Sequence, residues 1–152
     1  MTTVQTGAAY LVAVVVGTVL VSLANTHVDL QALARIGAEI PASVRLDASL
    51  RDLQGFAPTL FALNLIGFAI AFPVAGWTAR RLGSGWRLPG FGLAGGLAVM
   101  VTITSITLVY RGLLDSTITP VAASRELTGL MTLALGGLVA GLLFAKLKPA
   151  AH

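Results

Sequence analysis

The chain has 152 residues, of which 56% are hydrophobic and only 11% charged, with a mean hydropathy of +0.88. A soluble domain carries about one quarter charged residues, so this composition excludes an ordinary water-soluble globule. The formal charge of +4 comes from sparse, scattered Lys and Arg, which excludes a nucleic-acid-binding segment, and the absence of cysteine excludes disulfide, thiolate and Cys-ligated metal chemistry.

Four apolar stretches account for most of the length: Gly7–Ala24, Phe56–Thr78, Leu88–Tyr110 and Leu127–Ala145. Each approaches the ~20 residues that a helix needs to cross a ~30 Å hydrocarbon core. The expected fold is an all-α integral membrane protein: one domain over residues 1–152, built as a four-transmembrane-helix bundle with short amphipathic helices in the first outer connection.

In the first span, Ala9, Ala13 and Gly17 recur every four positions and share one face, a pattern that lets helix backbones approach closely in lipid. Ser22-Leu23-Ala24 resembles a signal-peptide cleavage site, but residues 1–6 contain no Lys or Arg and so lack the usual basic start. Asn25 and Thr26 are expected to close this helix at the water boundary.

The connection from Asn25 to Gln54 has its own helical spacing. Leu30, Leu33 and Ile36/Gly37 form one apolar face, and Pro41 ends the pattern. Ser43 reads as the N-cap of a second short helix carrying Leu46, Leu50 and Leu53 on one side, with Asp47, Arg51 and Asp52 on the others. Such helices usually lie in the plane of the membrane interface, either as connectors or as a lid.

The second span opens with Pro58 in its first turn and should kink at Pro73. Asn64 is the only Asn, Gln or ionisable residue well inside a span, and it reads as an interhelical hydrogen bond, to Thr102 or Ser105, or as a substrate contact. Trp77 and Trp86 mark one membrane boundary and Tyr110 the other. The third span carries the pair Gly92 and Gly96, with Gly95 beside them, then Thr102 and Ser105. The fourth carries Thr132 and the pair Gly137 and Gly141. These GxxxG pairs are expected to pack helices within the bundle or, where they face outward, between copies.

Charge sets the threading. The Ala79–Arg87 loop and the chain ends carry Arg80, Arg81, Arg87, Lys146 and Lys148 with no acid, a charge of +5. The other side carries five Arg and all six acids, a charge of −1. Lys and Arg counts tie at five each, and the denser basic side is assigned to the cytoplasm, placing both termini inside a bacterial-type inner membrane.

The outer connections bring His27, Asp47, Arg51, Asp52, Arg111, Asp115, Arg125 and Glu126 toward one mouth. These residues fit local ion pairs or, through the Arg side chains, recognition of a headgroup or other anion. A lone outer His with no HExxH-like spacing gives no metal site, and neither a catalytic set nor a cofactor motif is present in the sequence. With no acid inside a span and no cysteine, carboxylate-coupled export and thiol-based redox chemistry drop out.

The first expectation for function is a non-catalytic, lipid-contacting accessory or scaffold subunit that self-associates or joins a larger membrane complex, with membrane lipid rather than nucleic acid as its partner. The alternatives are an oligomeric transporter or channel in which Asn64, Thr102, Ser105 and Thr132 line one path, and a lipid-modifying enzyme using the outer acids and His27.

Overall fold

A computed structural model of the chain describes residues 3–113 and 121–148. Five helices follow in order: α1 Thr3–Arg35, α2 Ala42–Gly55, α3 Ala57–Leu82, α4 Arg87–Leu113 and α5 Leu127–Leu147. Single 3-10 turns, Ser84–Trp86 and Ala122–Arg125, lead into α4 and α5. No strand occurs among the described residues. Helices α1, α3, α4 and α5 are long and apolar enough to cross a membrane, so the chain has the architecture of a multi-pass membrane protein.

The largest departure from the sequence reading lies in α1. Asn25 and Thr26 do not end it; the helix runs on to Arg35, and its 33 residues make it about 50 Å long. The polar side chains at 25 and 26 are buried and find partners on the helix or on α2, so water gains no access to open the backbone there. The first of the two expected short helices is therefore the last part of α1. That helix stops at Gly37, whose φ of +91° suits glycine. Ala38 N–H bonds the Leu33 carbonyl and Gly37 N–H bonds the Ala34 carbonyl, a Schellman closure.

The second short helix, α2, is present, but its N-cap is Pro41 with no side-chain cap bond, and Ser43 lies inside the helix. Pro41 holds the extended backbone of the N-cap position, with φ −60° and ψ 157°, so the helix begins at Ala42 and Ser43 falls in its first turn. Only Phe56 separates α2 from α3. Pro58 sits in the first turn of α3, and Gly83, at φ +99°, closes its far end.

The four long helices form a ring in the order α1, α3, α4, α5, each packing on its two neighbours. Sequence-adjacent long helices run in opposite directions, so both chain ends and the α3–α4 loop share one face of the bundle. We call this the terminal face, and the other the loop face.

In lipid, apolar area gains little by leaving one hydrocarbon for another, so close packing must hold such helices together. The α4–α5 pair shows how. A Cβ added at Gly95 would fall well under 3.0 Å from the Gly137 carbonyl oxygen, and one at Gly141 would do the same against Phe91 O. Among the glycines of α4 the tightest approach is thus at Gly95. Gly92 and Gly96 meet Leu142 and the Ala134 carbonyl at 3.0–3.3 Å, a looser fit. On α1, Ala9, Ala13 and Gly17 all face inward, and Gly17 sits against Ala140 and Phe68.

The core divides along its height. Toward the terminal face it is aromatic: Phe72 stacks on Phe68 and Phe144 with centroids 4.9 and 4.6 Å apart, while Phe91 and Tyr10 meet it edge-on. Toward the loop face it is aliphatic, with Val21, Leu60, Val99, Ile103 and Leu133 fully enclosed or nearly so.

Candidate functional site

The buried polar side chains outline the first candidate site. Thr18, Ser22, Asn25, Thr26 and Asn64 are each no more than 7% exposed, and four of the five come from α1. Along α1 they follow helical spacing, with Asp29 next in the series, so they form one inward stripe about 16 Å long from Thr18 to Asp29. At its lower end Asn64 on α3 donates from Nδ2 to Thr18 Oγ1 at 3.1 Å. At its upper end Asn25 Nδ2 donates to Asp29 Oδ2 at 3.2 Å. The Thr26 hydroxyl lies within reach of both the Ser22 carbonyl, at 3.1 Å, and the Asp52 carboxylate on α2. Ser22 Oγ and Asn25 Oδ1 are buried with no protein partner among the described residues. Asp29 and Asp52 face one another electrostatically, with Arg125 as the nearby cation.

This stripe was visible as a pattern. Thr18, Ser22, Asn25 and Asp29 advance by four, three and four residues, the period of a single helical face. Treating Asn25 as a helix end hid it.

The outer charges are only partly brought together. Arg51 pairs with Asp47 at 2.8 Å, one turn apart on α2 and well exposed. Glu126 faces Arg35 from the extended α1 at 3.8 Å, and this pair too is exposed. Asp52 is taken by Thr26, and His27 Nε2 lies 2.7 Å from Gln31 Nε2 on the helix surface. Arg111 is exposed at the end of α4, and Asp115 lies outside the described residues.

Within the single chain Asn64, Thr102, Ser105 and Thr132 are not brought together. Asn64 faces α1. Thr102 and Ser105 line an outward groove between α3 and α4, and Thr102 Oγ1 packs over Gly67. Thr132 donates back to the Thr128 carbonyl at 2.8 Å. Thr18, not Thr102 or Ser105, receives the Asn64 bond.

Two cavities stand out among the described residues. The α3–α4 groove has a volume of about 870 Å³ and runs from Leu82 and Trp86 near the terminal face to Val109 and Tyr110 near the loop face. Its walls are almost wholly hydrocarbon, with Gly67, Ala71 and Ala98 leaving the room. A second cavity of about 490 Å³ opens at the terminal face between the start of α1 and the end of α3. Arg80, Lys148, Thr3 and Thr6 stand around it, over a floor that includes Phe72 and Phe144. In the sequence Arg80 and Lys148 are threading charges, with Lys148 long enough to snorkel to the headgroups; nothing there places them across one cavity from each other.

No family model matches the chain, and neither does any curated protein or solved structure. No cluster of three or more His, Cys, Asp or Glu able to hold a metal occurs among the described residues.

Proposed function

We propose that the chain is a non-catalytic, lipid-contacting accessory or scaffold protein of a bacterial-type inner membrane, with both termini in the cytoplasm. The observation that carries this reading is the α3–α4 groove: about 870 Å³ of apolar space along the height of two membrane-length helices, open to the surroundings. Its size and lining suit an acyl chain. The close-packing glycines Gly95, Gly137 and Gly141 are used within the chain, so a second copy or a larger complex would seat on other surface, of which the groove is one part. Five basic and no acidic residues at the terminal face support the orientation. On this reading α2, with no buried residue, rests at the outer interface.

Native mass spectrometry of the chain released from mild detergent tests the reading. Retained lipid or a defined oligomer is expected, and both should diminish when Ala98→Trp fills the groove. A bare monomer, unchanged by that substitution, would overturn it. For orientation, single cysteines at Gly83 and Ala38 should react from opposite sides with an impermeant thiol reagent, Ala38→Cys from outside.

A second reading is a small transporter, favoured by the buried polar stripe from Asp29 to Asn64. It requires that Ser22→Cys and Asn64→Cys react with small water-soluble thiol reagents, whereas in a sealed, structural stripe both stay silent.

A further inference from the structure

We infer that the cavity at the terminal face is a binding site for the phosphate headgroup of an anionic phospholipid. The cavity is graded along its depth. Its mouth carries the cations Arg80 and Lys148 and the hydroxyls Thr3 and Thr6, and its floor is aromatic. From Arg80 down to Ala69, which lines the lower wall, α3 covers about 16 Å. That order, charge above and hydrocarbon below, matches an amphiphile whose phosphate lies at the membrane surface with its chains descending.

The charges at the mouth are free to act on a ligand. Neither Arg80 nor Lys148 forms an ion pair among the described residues, and the terminal face has no acidic side chain in the sequence to supply one. Lys148 is held in place by ring faces instead. Its Nζ lies 5.6 Å from the Phe144 centroid and 5.9 Å from that of Phe91. Ring faces attract a cation without neutralising it, so the ammonium keeps its charge for an anion on its open side.

Two unpaired cations favour a net anionic lipid over a zwitterionic one, whose own cation would compete for the phosphate.

The inference shares the membrane-crossing reading with the proposed function but stands apart from the groove, which opens elsewhere on α3. The test is native mass spectrometry of the full chain with equimolar phosphatidylglycerol and phosphatidylcholine. Phosphatidylglycerol should be retained in preference by about tenfold or more. The Arg80→Ala/Lys148→Ala double variant should lose that preference, and Arg81→Ala, whose guanidinium lies over Trp77, should keep it. Ala69→Phe, an exposed wall position that fills the cavity with both cations intact, should also lose it, and serves where the double variant does not fold. Equal retention of the two lipids, or a preference that survives both cavity changes, overturns the inference. Displacement of the lipid by millimolar inorganic phosphate would also overturn it, in favour of a free-anion site. A lipid lost on filling the groove but not the cavity would leave the proposed function standing and sink this site alone.

Discussion

Asn64 on α3 and Thr18 on α1 are joined by a hydrogen bond of 3.1 Å, with both side chains almost wholly enclosed. It ties the two helices at the depth where the aliphatic half of the core gives way to the aromatic half. Such bonds in membrane bundles average about 0.6 kcal/mol and reach about 1.7 kcal/mol in double-mutant cycles. Asn64→Leu and Thr18→Val should each lower stability in detergent unfolding, with a coupling energy in that range. A coupling of zero would mean that the two side chains do not depend on each other.

The glycines between α4 and α5 should respond in sharp contrast to those in open space. Gly141→Ala and Gly95→Ala place a methyl group against backbone that cannot turn aside, and overpacking of this kind costs about 1–3 kcal/mol. Gly90→Ala meets nothing within 4 Å and should leave the unfolding midpoint unchanged or slightly raised. Comparing midpoints of the three variants checks the α4–α5 packing directly.

Arg87 reaches across the terminal face to the end of α5, donating from Nη2 to the Ala145 carbonyl at 2.8 Å. That carbonyl is among the last of its helix, where the ladder no longer supplies a donor. Arg87→Met should cost about 1 kcal/mol. It should also raise amide hydrogen exchange over the final turn of α5, with little change at its start.

Thr26 anchors α2 through Asp52. No residue of α2 is buried, so this bond and the short link to α3 hold the helix against the bundle. Asp52→Ala is expected to increase proteolysis and hydrogen exchange across Ala42–Gly55 while leaving the four long helices protected. Unchanged exchange in α2 would show that the link through Phe56 suffices.

The sequence made the long helices legible because each carries an apolar run of membrane length, and a run needs no partner to be recognised. The inward face of α1 was legible for the same local reason: Ala9, Ala13 and Gly17 lie one turn apart. What escaped depends on contacts between distant segments. Whether the helix ends at Asn25 and Thr26 or continues is decided by what covers them, and Asp52, 26 positions after Thr26, is part of that cover. Whether Asn64 meets Thr102 or Thr18 depends on which neighbour α3 turns that face toward. Among the glycines of α4 the tightest contact falls at Gly95, not at the spaced pair beside it, because rotation of α4 against α5 selects the residue, and spacing along one helix does not fix that rotation.

Helix α1 is unbroken from Thr3 to Arg35 and packs into the bundle along most of its length, with buried residues from Ala9 to Leu30. Its first turns carry Tyr10 and the Thr3–Thr6 rim of the terminal cavity, and its far half meets α2 through Thr26 and Asp52. The rim of the cavity and the seat of α2 are thus set in register by one continuous helix.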